Sequence, residues 1–158
     1  MRAGIGYDVH RLVPGRGLAL GGVKLDCPWA FVAHSDGDVV VHAVIDALLG
    51  ACGLGDIGEW FPDTDPAYKG MDSRELLKRV VAAVAEKKYQ IENVDVIVHA
   101  EQPKLGPHKP AMRATLADLL GIEPDRVNVK AKTNEGLDAV GRREAIAAWA
   151  AVVVAEKK

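Results

Sequence analysis

The chain has 158 residues, of which 49% are hydrophobic and 27% charged, with a formal net charge of -2. That is the size and composition of one globular domain, spanning 1–158, and it excludes a disordered or fibrous protein. So small a net charge draws in neither nucleic acid nor an anionic membrane, so a phosphate-binding role has to come from local groups.

Two cysteines, Cys27 and Cys52, stand apart without a CxxC pair. This argues against a thiolate cluster or a disulfide framework and fits a reducing, cytoplasmic location. The N-terminal MRAGIGYDVHR lacks the apolar run of a signal peptide. The longest apolar run, Ala145 to Ala155, is about half the roughly 20 residues that span a bilayer and reads as core.

In chain order, Arg2 to Val13 reads as a strand, PGRGLALGGVKL as a turn with a short hairpin, and Asp26 to His34 as a loop. A helix follows, with Ser35 as N-cap, Asp38 three residues on as in a capping box, apolar periodicity through Leu49, and Gly53 as the stop. DIGEWFPDTDPAYKGMD is polar and turn-rich, a long exposed loop of the kind that often carries function. Ser73 caps a second expected helix, SRELLKRVVAAVAEKK; YQIENVDVIVHA alternates as a strand; HKPAMRATLADLLG is a third helix; DRVNVKAKT is a strand. From Arg142 on, alanines favour helix and Val152 to Val154 favour strand, with strand the better reading. The sum is an α/β (α+β) two-layer sandwich: a small mixed sheet covered on one face by helices.

Asp8 and His10 lie two apart on the first strand and so share a face. On the first helix Asp38, His42 and Asp46 fall at i, i+4 and i+8. An imidazole with a carboxylate a turn to either side suits metal binding, with Asp38 and Asp46 orienting His42, although the stripe also fits a solvated helix face. Asp8, His10 and His42 together supply one oxygen and two nitrogens, a set that suits zinc with a fourth position open to substrate.

His34 and Ser35 stand at the mouth of that helix, where free N–H groups favour an anion; an ordinary N-cap beside a surface histidine fits equally. AEQPKLGPHK and KAKTNEG each follow an expected strand end, where ligands of α/β proteins commonly bind. There Lys104, Lys132 and Thr133 can donate to phosphate and Glu135 can hold a hard cation, while solvated loops would look much the same. Arg142 and Arg143 fit anion contacts or surface charge.

The motifs DVH, AHSDGDVVVHAVIDALLGA, GDIGEWFPDTDPAYKGMDSRELL, NVDVIVHAEQPKLGPH, RVNVKAKTNEGL and GRREAIA, in that order, resemble the 2-C-methyl-D-erythritol 2,4-cyclodiphosphate synthases of the non-mevalonate isoprenoid pathway over nearly the whole chain. The resemblance implies a lyase that closes 4-diphosphocytidyl-2-C-methyl-D-erythritol 2-phosphate into a cyclic diphosphate and releases CMP. It implies zinc, one per subunit, on Asp8, His10 and His42, with magnesium or manganese at Glu135 and transition-state stabilisation by His34 and Thr133. Substrate contacts are implied for Asp8, His10, His34, Ser35, Asp56, Ile57, Gly58, Phe61, Asp63, Asp65, Ala100, Pro103, Lys104, Leu105, Gly106, Lys132, Thr133, Asn134, Glu135 and Arg142. It further implies a homotrimer with active sites at subunit interfaces, and no nucleic-acid or membrane partner.

Two positions depart from the family pattern: Lys132 replaces a small hydroxyl residue, and Ala139 stands where several relatives carry Phe, which puts isoprenoid binding on a trimer axis in doubt. A length of 158 residues leaves no room for the cytidylyltransferase domain fused to some relatives. A metal-dependent phosphoesterase and a non-catalytic, metal- or nucleotide-binding trimer are the alternatives, the first predicting hydrolysis products and the second no turnover.

Overall fold

The computed structural model describes residues 1–157; Lys158, the end of the charged tail, lies outside the described residues. A five-stranded mixed sheet organises the chain, in the order β4 (Trp29–Val32), β1 (Arg2–Pro14), β7 (Ala145–Glu156), β5 (Tyr89–His99), β6 (Val127–Lys132). Only β5 and β6 run parallel; the other neighbours are antiparallel. A two-stranded hairpin, β2 (Leu18–Leu20) with β3 (Val23–Leu25), turns at Gly21-Gly22, both at positive φ, as a tight hairpin requires. The helices are α1 (Val39–Cys52), α2 (Ile57–Trp60), α3 (Ser73–Glu86), α4 (Lys109–Leu120) and α5 (Asp138–Gly141).

The period-two alternation of the strands decides what lies beneath the helices. Val94, Val96 and Val98 of β5, Ile146, Ala148, Ala150 and Val152 of β7, and Val127 and Val129 of β6 all point into one buried cluster with α1, α3 and α4. On β1 the matching inward positions are Gly4, Gly6, Asp8 and His10, paired with Val152, Ala150, Ala148 and Ile146. The glycines are there for clearance: a Cβ on Gly4 would come within 2.7 Å of the Ala51 nitrogen, and one on Gly6 within 2.9 Å of the Ala47 nitrogen. Backbone-to-backbone approach of α1 to β1 therefore depends on both lacking a side chain.

Three expectations needed correction. The N-cap of α1 is Asp38, not Ser35: Gly37, at φ +76°, turns the chain, and the Asp38 carboxylate accepts the N–H groups of Val40 and Val41. The cap of α3 is Asp72, and Ser73 is instead fully buried. The expected loop from Asp26 to His34 contains β4, which pairs with Arg11 to Pro14 of β1; four residues carry too little pattern to announce a strand whose stability comes from a distant partner. The C-terminal run forms β7, as its valines suggested.

Gly6→Ala is expected to lower stability by about 2 kcal/mol or more, because the clash is with helix backbone that cannot rotate away. Gly50→Ala, whose Cβ would meet nothing closer than the Ile5 carbonyl oxygen at 4.0 Å, is expected to be neutral or to stabilise by up to about 1 kcal/mol. Urea midpoints of the two variants measured side by side check the contrast.

Candidate active site

Because α1 rides so close to β1, its first turn brings His42 onto the inward residues of that strand. His42 Nδ1 lies 2.9 Å from Asp8 Oδ2, and His10 Nδ1 lies 3.2 Å from the same oxygen. Asp8, His10 and His42 thus offer one ligand atom each, all within 4.8 Å of one another. His10 Nδ1 is buried, its approach to Asp8 lacks the alignment of a hydrogen bond and it has no other partner, which is the state expected of a nitrogen built to meet an ion. One carboxylate and two imidazoles are a donor set that fits a transition-metal ion such as zinc.

The local electrostatics agree. Burial pushes the Asp8 carboxyl up, but the close His10 and His42 imidazoles, His42 hydrogen-bonded to it, outweigh burial and hold the group well below the usual carboxylate range. Burial pushes His42 down, and the hydrogen bond and charge of Asp8 more than reverse that, so its pKa is raised. Mutual attraction of this kind is what a cation placed among the three would replace.

Around the triad, a cavity of about 240 Å³ is lined also by His34, Ser35, Asp46, Ile57, Gly58, Phe61, Asp63 and Tyr68. His34 Nε2 is 3.3 Å from the carbonyl oxygen of Asp65, which in turn caps the short 3₁₀ turn at Pro66 with its side chain. Asp56 caps α2 by accepting the Glu59 N–H and, with Asp46, borders a neighbouring hollow of about 390 Å³ that also touches Ile5, Tyr7 and Trp149. The stretch expected as one long exposed loop is instead broken by α2 and the 3₁₀ turn Pro66–Tyr68, each capped by an aspartate, and it walls the cavity.

The expected orienting pair is partly replaced. Asp38 accepts the backbone N–H groups of Gly21 and Gly22 at 2.8 and 2.7 Å in addition to its capping bonds, so its oxygens serve the hairpin tip and the helix, not the His42 ring. Since the Val40 and Val41 amides are taken, the helix terminus also lacks those donors for an anion. Asp46 accepts the Ile57 N–H and so ties α2 to α1. His42 Nε2 meets two hydroxyls instead, Ser73 Oγ at 2.8 Å and Ser35 Oγ at 3.2 Å.

The second group of expected residues gathers elsewhere, beyond the C-terminal ends of parallel neighbours β5 and β6, where the Ala100 N–H bonds to the Lys132 carbonyl. Thr133 Oγ1 donates to Glu135 Oε1 at 2.9 Å, and Glu135 itself sits at positive φ. Glu101 was not singled out in the sequence; its Oε1 accepts the Asn134 N–H at 2.8 Å and ties this loop down, while His99 Nδ1 meets Asn134 Oδ1 at 2.7 Å. Arg142 pairs with Glu144, and Ala139 packs in a small cluster with Val140, Ala145 and Ala147. None of Ala100 to Gly106 or Lys132 to Glu135 lines the triad's cavity.

A YgbB family profile matches residues 1–155. The chain belongs to the YgbB family. Its sequence is 56% identical over 155 residues to the 2-C-methyl-D-erythritol 2,4-cyclodiphosphate synthase of Symbiobacterium thermophilum, covering 98% of this chain and 99% of that one. Identity to the synthase of Geobacter sulfurreducens is 53%, covering 99% of this chain and all of that one. Among solved structures, a CDP-bound 2C-methyl-D-erythritol-2,4-cyclodiphosphate synthase superposes with a TM-score of 0.90 at 40% identity, covering 98% of this chain and 100% of the other. A Plasmodium falciparum relative in complex with CDP gives 0.88 at 34% identity, covering 99% and 97%.

His42→Ala removes one ligand and leaves the apolar face of α1 intact. The variant is expected to fold, by circular dichroism, and to lose bound divalent metal in elemental analysis of protein loaded and desalted in parallel with the parent. Retention of stoichiometric metal would exclude His42 as a ligand.

Proposed function

We propose that this YgbB-family chain is a lyase that converts 4-diphosphocytidyl-2-C-methyl-D-erythritol 2-phosphate to 2-C-methyl-D-erythritol 2,4-cyclodiphosphate and CMP, in the non-mevalonate route to isopentenyl diphosphate. The observation that carries it is the convergence of Asp8, His10 and His42 on the floor of a cavity, with the His10 nitrogen unpartnered. In the reaction an oxygen of the substrate's 2-phosphate forms a bond to the β-phosphorus as the bond from that phosphorus to the bridging oxygen breaks, and CMP leaves with the electron pair. The attacking phosphate already carries a lone pair, so no protein nucleophile and no base are required. What remains is to fold a flexible substrate into a ring-closing pose and to neutralise charge.

Asp8, His10 and His42 would hold zinc, one per subunit, and Glu135 would hold magnesium or manganese accompanying the diphosphate. Bound there, the ions supply Lewis-acidic charge beside the reacting phosphates. His34, held by Nε2–H against the Asp65 carbonyl, would turn its Nδ1 side to the reacting phosphates, and Thr133, whose hydroxyl is released when Glu135 takes the cation, would donate O–H to them, so both stabilise the transition state. Asp56, Ile57 and Gly58 take the erythritol hydroxyls, Ser35 and Phe61 to Asp65 shape the cavity around them, and the backbone of Ala100 to Gly106 reads the cytosine edge. Lys132 and Asn134 flank the α-phosphate, and Arg142 adds a cation.

The assembly in this reading is a homotrimer of single-domain chains, each active site being completed by a neighbour. Two features support it. The sheet face away from the helices exposes apolar side chains, with Ile5 72% and Trp149 45% accessible, and Tyr7 beside Trp149. The cytosine-side loops, moreover, do not share a cavity with the metal ligands of their own chain. Among the described residues no helix is long and apolar enough to cross a membrane, and a cytoplasmic location with a small cytidine diphosphate as partner fits a pathway of soluble phosphorylated intermediates.

Phosphorus NMR of the chain incubated with the cytidine-linked 2-phosphate, zinc and magnesium is expected to show cyclic diphosphate resonances growing with CMP. Linear phosphates from water attack would convert the reading to a phosphoesterase, and unchanged substrate would reduce it to a binding protein. Trp149→Lys is expected to shift the chain from trimer to monomer in light scattering and to lose activity in step; an active monomer would remove the interface site from the reading.

A further inference from the structure

The sequence passed over the side of His42 that faces away from Asp8. There Ser73, the first residue of α3 and fully buried, places Oγ 2.8 Å from His42 Nε2 and makes a short hydrogen bond to Asp36 Oδ1. Asp36 is held in turn by the backbone: Oδ2 accepts the Ser73 N–H at 3.1 Å, Oδ1 accepts the Asp38 N–H at 3.2 Å, and its own N–H bonds to the Met71 carbonyl. Both carboxylate oxygens are therefore acceptors with assigned donors.

That leaves one consistent set of protons. A carboxylate only accepts, so the Ser73 hydroxyl donates to Asp36; a hydroxyl has one hydrogen, so toward His42 it can only accept. His42 Nε2 must then carry its hydrogen whether or not a cation is bound: without one Nδ1 also carries a hydrogen, donated to Asp8, and when a cation takes that hydrogen's place the lone pair that meets it is on Nδ1. Ser35 Oγ, farther off at 3.2 Å and already accepting the Gly37 N–H, reinforces the acceptor role without setting it.

We infer that Ser73 and Asp36 are positioning residues that hold His42 in its Nε2–H tautomer and so aim Nδ1 at the metal. The inference rests on the metal reading of Asp8, His10 and His42. A carboxylate acting on a ligand imidazole through a hydroxyl fixes ring orientation and raises ligand basicity, and losing such support costs 10- to 100-fold in metal affinity. It also assigns a purpose to an arrangement that spans three segments: Asp36 precedes α1, His42 lies within it, and Ser73 opens α3.

The test is zinc affinity by competition with a chromophoric chelator, together with long-range ¹H–¹⁵N spectra of His42, for the parent chain, Ser73→Ala and Asp36→Asn. Ser73→Ala keeps the Asp72 cap and is expected to fold while binding zinc about 10- to 100-fold more weakly. Asp36→Asn can accept on only one of its two polar atoms. It is expected to weaken zinc similarly and, where its amide faces Ser73, to let the hydroxyl donate to His42 and populate the Nδ1–H tautomer, a signature that simple loss of packing would not produce. Zinc uptake by the parent with affinity within twofold in both folded variants would overturn the inference alone; an Nδ1–H tautomer in the parent would overturn it too. No zinc uptake by the parent would overturn the metal reading beneath it.

Discussion

Everything about the site follows from how closely α1 lies against β1. A helix normally rests on a sheet through a layer of side chains, but at Gly4 and Gly6 there is none, and the carbonyls of Ala43 and Ala47 sit on the strand itself. Two residues further on, the same inward face carries Asp8 and His10. With the axis brought in by the glycines, one helical side chain, His42, reaches both. A larger residue at Gly6 would move the helix and with it one of three candidate ligands.

The polar groups that hold this geometry are buried or half-buried and almost completely satisfied. Asp38 gathers four backbone N–H groups from the hairpin tip and the first turn of α1, so it locks the helix start to β2 and β3. Burial raises its pKa, since desolvation outweighs the bonds from Gly22, Val41 and Gly21. Asp36 and Ser73 do the same between α1 and α3, and Asp46 between α1 and α2. An unpaired group in such a network costs more than a paired one contributes, which keeps the start of the helix in one position. Against that background His10 Nδ1 stands out as the one buried side-chain nitrogen or oxygen among the described residues without a hydrogen bond.

The rest of the chain's chemistry sits at the ends of β5 and β6. Parallel pairing brings Ala100 and Lys132 side by side, and Glu101 fastens the loop carrying Thr133 and Glu135 from across that junction. Gly141 lies directly against Gly136, so the turn that follows is packed close as well. The two groups are thus each rigid, on elements of one sheet, yet open into different spaces.

Much of this was written in the residues themselves. Alternation and helical periodicity announced β1, α1, α3, β5, α4 and β6, because half-buried elements must place apolar side chains on one face. Asp8 and His10 could be paired from spacing alone, since i and i+2 share a face in any strand. Position at a helix mouth and past strand ends nominated His34, Thr133 and Glu135, and the family motifs assigned them roles. What the chain by itself could not determine was which polar residues serve which partners. Asp38 and Asp46 looked like partners of His42 because local spacing was all there was to weigh, whereas the fold gave their oxygens to backbone amides and brought Ser73 from 31 residues away to the imidazole. Nor did four residues at Trp29 to Val32 reveal a strand that exists only through its pairing with β1. Periodicity is a local property and survives in the sequence; hydrogen-bond partnership among buried polar groups is settled only when tertiary packing decides which of them share a space.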